Sequence, residues 1–200
     1  MILSVVVPRI QRAQWDKLEE ELKFVDYEII PCQDPAKALQ LVSGRFILFL
    51  EEDSAFEPGS IRHCLDTFEG NPSYRKLAMV SPSVDFDGID HRVGFSYDEG
   101  LMFTTVNDNS TESYPVSIGY LYGSIIRTTA YRKAVVSHKK DAMYKSMQIS
   151  EFFWSNGLRV EMHPMATYYS PAGYGPSLEG GYRIKNNSEA LKVWKKEFIS

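Results

Sequence analysis

Cysteine is scarce in this chain: Cys32 and Cys64 are its two thiols, too far apart for a zinc knuckle or a redox pair. The scarcity excludes a disulfide framework and points to a reduced, intracellular setting, taken here as cytoplasmic. An excess of basic charge is also missing. Twenty-two Lys and Arg face 26 Asp and Glu for a net charge of -4, so no overall attraction brings nucleic acid to the surface. No apolar run approaches the roughly 20 residues that a bilayer span needs. The opening Ile2-Leu3-Ser4-Val5-Val6-Val7-Pro8 has no basic leader, so the sequence reads as a soluble protein that starts in its first strand. Pro8-Arg9-Ile10-Gln11 lacks the glycines that let backbone approach a diphosphate, which argues against a dinucleotide oxidoreductase. His63, His91, His138 and His163 show no pairwise metal spacing.

A hydrophobic content of 44% is enough for one core, and a single domain over residues 1–200 is expected. Residues 2–7 form an apolar run broken only by Ser4, the mark of a strand buried on both faces. Trp15, Leu18 and Leu22 recur at helical spacing, and Tyr27-Glu28-Ile29-Ile30 returns to extended texture, so the chain opens β-α-β. Asp34-Pro35 starts a short helix through Ala38, Leu39 and Val42 that stops near Gly44. Next comes Arg45-Phe46-Ile47-Leu48-Phe49-Leu50-Glu51-Glu52-Asp53-Ser54, an apolar strand ending in three acids. Beyond it, Ser60 caps a helix whose inner face is Ile61, Cys64, Leu65 and Phe68, and Ala78-Met79-Val80 is a strand. Residues 83–113 mix Asp, Gly, Asn and Ser with aromatics and read as irregular hairpins at one end of the sheet. Helices are expected at about 128–138 and 142–156, a strand over 158–162, and a helix over 187–199 with Leu191, Trp194 and Phe198 facing inward. The glycine-rich segment 170–183 is expected to be a mobile loop, either closing over a ligand or simply connecting to the last helix.

The acidic run carries the chemistry. Carboxylates gathered at a buried strand tip concentrate like charge, which a cation or a metal-bound phosphate would offset. Strand alternation would put Glu51 and Asp53 on one side and Glu52 on the other, so Asp53 is the first candidate metal ligand with Glu51 in support. The competing reading is a solvated acidic strand end. Asp85-Phe86-Asp87 also spells Asp-x-Asp, but its Gly88 and Asp90 neighbours make it read as an Asx turn.

Taken in order, these blocks resemble the family-2 glycosyltransferases, whose nucleotide-sugar domain has the GT-A fold, an α/β architecture with a central, mostly parallel sheet flanked by helices. Ser4 to Pro8 resembles the family's opening strand, Tyr27 to Ile30 its second, and Gly44 to Asp53 the strand ending in its Asp-x-Asp motif. Glu57 to Ile61, Met79 to Pro82 with Asp87-Gly88, Gly123 to Arg127, Gly157 to Val160 and Pro164 to Ala166 are similar to later blocks, so the resemblance covers about residues 2–170. It implies inverting transfer of a sugar from a nucleoside-diphosphate sugar to an acceptor hydroxyl, assisted by Mn2+ or Mg2+. On these positions the donor would be held by Pro8, Arg9, Gln33, Asp34, Glu51, Glu52 and Arg183, and the metal by Asp53 and Glu51. Asp34 has a plain alternative as helix initiator, Arg9 one as a solvated strand end, and Lys185 would assist Arg183 at the diphosphate.

The base that takes the acceptor proton is Asp141 or Glu151, with ordinary helix-cap and surface-charge roles as the alternatives. The chain departs from the family in offering Gln33 and Asp34 where two aspartates are usual. A histidine that often completes the metal shell is replaced near Tyr169 or Ser170. The acceptor could be a glycan, a lipid-linked glycan, a protein or another hydroxyl compound. Competing functions are a nucleotidyltransferase and a non-catalytic sugar-nucleotide or glycan-binding module.

Overall fold

A computed structural model describes residues 2–8, 12–70, 74–86, 89–91, 94–97, 103–106, 111–135 and 142–171. Arg9, Asp141, Arg183, Lys185, the expected loop over most of 170–183 and the expected helix over 187–199 lie outside the described residues. The chain runs β1 (Ile2–Val7), α1 (Arg12–Leu22), β2 (Asp26–Pro31), α2 (Pro35–Ala38), β3 (Phe46–Phe49), β4 (Ala55–Phe56) and α3 (Ser60–Gly70). It continues through β5 (Leu77–Phe86), β6 (Ile89–His91), β7 (Gly94–Tyr97), β8 (Phe103–Val106) and β9 (Tyr114–Pro115). The last elements among the described residues are β10 (Ile125–Arg127), α4 (Thr128–Ala134), α5 (Ala142–Ser155) and β11 (Arg159–Ser170).

The main sheet has the order β2-β1-β3-β10-β5-β11-β4, with β6 added beside β5 and β9 beside β11, while β7 and β8 pair separately. On that path β2, β1, β3, β5 and β11 run one way, and β10 and β4 run against them. Helices cover both faces, which is why β1 and β3 have no polar side. On one face Leu3, Val5, Val7, Leu48, Leu50, Val80 and Val84 meet Leu18 and Leu22 of α1 and Ile61, Leu65 and Phe68 of α3. On the other, Val6, Ile47, Phe49, Met79, Val160 and Met162 meet Ala38 of α2, Tyr131 of α4 and Phe153 and Trp154 of α5. Each large side chain so buried contributes about 1.5–3 kcal/mol. Ser4, wholly buried in β1, is satisfied: its hydroxyl donates to Glu28 and accepts the Gly44 N–H at 2.8 Å.

Two features of this topology position the site. The chain leaves β1 through α1 to β2 on one side, then crosses back through α2 to β3 on the other, with α1 and α2 on opposite faces. A sheet wound in both directions opens a crevice at the carboxyl ends of the strands where the direction reverses, here β1 and β3. The second feature is a bulge in β11. Between His163 and Thr167 that strand advances four residues while β5 advances one, Pro82 to Ser83. Pro164 cannot donate to the ladder, and the three extra residues reverse the alternation. Before the bulge Val160 and Met162 face α5; after it Ala166 and Tyr168 face the α1 and α3 layer.

The structure differs from the sequence reading in several local respects, among them that α4 stops at Ala134, short of the expected 138. α2 stops at Ala38, because the chain to Val42 continues as turns rather than as helix. β11 extends to Ser170 because β5, β9 and β4 all pair with it. Asp85 and Phe86 are not in an Asx turn: they end β5, with Asp85 opposite Asp90 of β6 and Tyr169 of β11.

Candidate donor-binding site

β3 ends at Phe49, so the three acids are carried by the turn that follows rather than by the strand. The turn is closed by Ser54, whose hydroxyl donates to the Glu51 carbonyl at 2.8 Å. Asp53 has φ of 62°, the left-handed conformation that aspartate tolerates better than most side chains. Strand alternation therefore does not relate Glu51 to Asp53. Glu52 and Asp53 are exposed at the tip, whereas Glu51 turns inward.

Three hydroxyls receive Glu51. Tyr120 donates to Oε1 at 3.0 Å, while Tyr168 and Ser170 donate to Oε2 at 3.2 and 2.6 Å. The Tyr168 hydroxyl also accepts the Glu51 N–H at 3.1 Å, so one phenol fixes both backbone and side chain. Burial pushes the Glu51 carboxyl above its ordinary value of 4.5, and the hydrogen bonds from Ser170, Tyr120 and Tyr168 act against that rise. The phenols are themselves built in. Tyr168 is wholly buried, packs on Phe56 at 5.0 Å between centroids, and lies where a side chain at position 123 would stand; that position is Gly123, at φ of 76°. Tyr120 is fixed by its N–H, which donates to the Ser81 hydroxyl at 3.1 Å.

The other crevice residues come from the ends of β1 and β2. Pro8 directly follows β1 and is half-buried, and the Cys32 N–H donates to the Val7 carbonyl at 2.8 Å, tying the two strand ends together. Gln33 is exposed. Asp34 is half-buried and caps α2, its Oδ1 accepting the Ala36 N–H at 2.9 Å. Tyr122 lies beside the end of β3: its backbone bridges to Phe49, its ring lies 6.1 Å from that of Tyr120, and burial followed by the charges of Glu51 and Asp34 pushes its phenol up to about 12. Alongside the acidic turn, a cleft of about 240 Å³ runs against α1, with Lys17 and Glu21 facing Glu51 and Asp53. Glu151 is on α5, half-buried beside Ser150, whose hydroxyl accepts the Gly119 N–H at 3.1 Å.

A sheet with these two helical layers has a counterpart among solved structures. No protein-family model matches the sequence, and no curated protein matches it. The chain is similar to the crystal structure of GalNAc-T7 with UDP, GalNAc and Mn2+, with a TM-score of 0.56 and 12% identity over 98% of this chain. The fold is of the GT-A type. The chain spans about half of that neighbour, 47% of its length. Weaker likenesses are to S. aureus TarS 1-349 in complex with UDP-GlcNAc, at a TM-score of 0.48, 11% identity and 98% and 66% of the two chains, and to a protein from STIV, at 0.47, 13%, and 84% and 83%.

Within this GT-A fold, Pro8, Gln33, Asp34, Glu51, Glu52 and Asp53 all follow the carboxyl ends of β1, β2 and β3. The sequence reading missed Tyr120, Tyr122 and Tyr168. It gave Tyr169 or Ser170 as the place of a lost histidine, and Ser170 donates the shortest of the three bonds that hold Glu51. None of the three tyrosines falls in the aromatic-mixed stretch 83–113, and no local pattern marked them.

Proposed function

We propose that this chain transfers a sugar from a nucleoside-diphosphate donor to an acceptor hydroxyl with inversion at the anomeric carbon. The observation that carries this reading is the acidic turn at the β1/β3 switch crevice of a GT-A fold, with one carboxylate held inward by hydroxyls and another presented at the tip.

The residues present suit a divalent cation. Carboxylate oxygens are the hard ligands that Mg2+ and Mn2+ prefer. A carboxylate has about four acceptor positions, and the three hydroxyls on Glu51 leave one, at Oε1. Asp53 would hold the ion, Glu51 would support it, and the donor diphosphate would supply further oxygens, since no group of three or more His, Cys, Asp or Glu converges among the described residues. When bound, the cation neutralises charge on the departing diphosphate.

The chain's own residues do the rest. Pro8, Gln33 and Asp34 line the nucleoside end of the crevice, with Arg9 and Arg183 assigned to the phosphates and Glu52 to the outer rim. In the transfer the bond from anomeric carbon to diphosphate oxygen breaks, the acceptor oxygen bonds to that carbon from the opposite side, and its proton passes to Asp141 or Glu151. No helix among the described residues is long and apolar enough to cross a membrane.

The test incubates the protein with a panel of sugar nucleotides and Mn2+, following nucleoside diphosphate release and sugar transfer beside Asp53→Ala. Turnover that falls at least a hundredfold in the variant supports the proposal. Donor binding without any turnover would favour the non-catalytic module, and pyrophosphate release from a nucleoside triphosphate and a sugar phosphate would favour a nucleotidyltransferase.

A further inference from the structure

A nucleoside presents two surfaces to a protein, a flat base with a π face and a ribose edge of hydroxyls, so a site that recognises one needs a ring and polar groups in reach of each other. At the tip of β3 four rings gather. Phe49, Tyr120 and Tyr131 are buried, with Phe49 and Tyr131 in contact at 5.0 Å between centroids; Tyr122 is half-buried and keeps surface open. Its neighbours on either side in sequence are anchored: the Leu121 N–H donates to Ser146 of α5 at 2.8 Å, and the Gly123 N–H donates to the Phe49 carbonyl at 2.8 Å. Tyr122 therefore sits on a fixed backbone at the carboxyl edge of the sheet, packed against the cores of both faces. Ordering such a ring costs little when a ligand arrives.

We infer that Tyr122 is a specificity-determining residue of the donor site, its ring forming the floor on which the nucleoside lies beside the acidic turn. This deepens the transferase reading and rests on it. Tyr122 is linked to the acidic turn through its neighbour: its ring lies 6.1 Å from that of Tyr120, whose hydroxyl donates to Glu51 at 3.0 Å. Its phenol can donate a hydrogen bond toward ribose or carboxylate oxygens. The diphosphate belongs to the acidic turn and the base to Tyr122, so the two halves of the donor are separable by mutation.

The experiment titrates the protein calorimetrically, in Mn2+, with UDP, GDP and inorganic pyrophosphate. Tyr122→Leu keeps apolar bulk while removing the ring, and Tyr122→Phe removes the hydroxyl alone; circular dichroism and Tm establish that each is folded. The expected result is that Tyr122→Leu binds the preferred nucleotide about tenfold or more weakly, as loss of a base-stacking ring does, with pyrophosphate affinity unchanged. Tyr122→Phe should keep most of the nucleotide affinity. Undiminished nucleotide binding by Tyr122→Leu overturns the inference, and so does an equal loss for nucleotide and pyrophosphate, which would mark a structural role. Failure of the wild-type protein to bind either nucleotide is a different result: it removes the donor site itself, and the inference with it.

Discussion

Glu51 occupies a place where protein hydroxyls have replaced most of its water, and that exchange has consequences for stability as well as for chemistry. Replacing it with glutamine puts an amide donor against hydroxyls that need an acceptor, so Glu51→Gln should lose about 1–3 kcal/mol, read as a lower urea midpoint. The pH dependence has a definite sign. Since the folded carboxyl titrates above its ordinary 4.5, the fold holds that proton more tightly than the unfolded chain does. The contribution is fully present below 4.5 and is lost as pH rises through the folded value, so the stability of the native protein relative to Glu51→Gln should decline over that interval in a series of urea titrations. His163 behaves oppositely. Burial, then the stacked His63 ring 5.0 Å away, lower it to about 4 against an ordinary 6.5, with Asp66 acting the other way. Its contribution is intact above 6.5 and is lost as pH falls toward 4. Calorimetric scans between pH 7.5 and 4 should show a shallower decline for His163→Asn, which keeps an acceptor for the Met165 N–H.

Among the elements, the four-residue α2 depends on its first turn. Asp34 both caps it and faces the crevice, and the two roles can be separated. Serine is an equally good N-cap, so Asp34→Ser should leave Tm nearly unchanged, whereas Asp34→Ala should cost about 1 kcal/mol. If the carboxylate reads the nucleobase, both variants lose nucleotide affinity in calorimetry, and retained affinity in Asp34→Ser would leave capping as its role. The connection into β10 is stricter. A Cβ at Gly123 would lie 2.4 Å from the Tyr168 ring, at a backbone angle that only glycine adopts without strain. Gly123→Ala should therefore lose more than about 2 kcal/mol by denaturant titration. Because Tyr168 holds Glu51, donor turnover should fall with it even at temperatures where the variant remains folded.

For the whole molecule, the crevice joins ligand binding to global stability. A ligand bound by the folded state alone stabilises by about 2.7 kcal/mol at a hundred times its Kd, an upward Tm shift of roughly 5–10 °C for a chain of this size. A matching nucleoside diphosphate with Mn2+ should produce such a shift. Mn2+ alone should produce little, because the chain offers it Asp53 and one remaining position on Glu51. Much of the architecture behind this was readable in one dimension: the apolar run of β1, the helical spacing of Leu18 and Leu22, the Asp34-Pro35 start of α2 and the acids after Phe49 all follow from local physics. The full length of β11 was not, because its outer half owes its extension to pairing with β4 and β5 rather than to its own texture.

The sequence by itself determined the β-α-β opening, the burial of β1 on both sides, the inner faces of α1 and α3, and that carboxylates cluster after β3, since burial patterns and turn chemistry act over a few neighbouring residues. Only the tertiary structure decided what those carboxylates meet. Tyr120, Tyr168 and Ser170 lie 69 to 119 positions from Glu51 along the chain, and two of them reach it because a bulge of three extra residues in β11 turned that strand's alternate side chains to the other face. Strand parity set by a distant pairing partner is a property of the assembled sheet, and no local pattern encodes it.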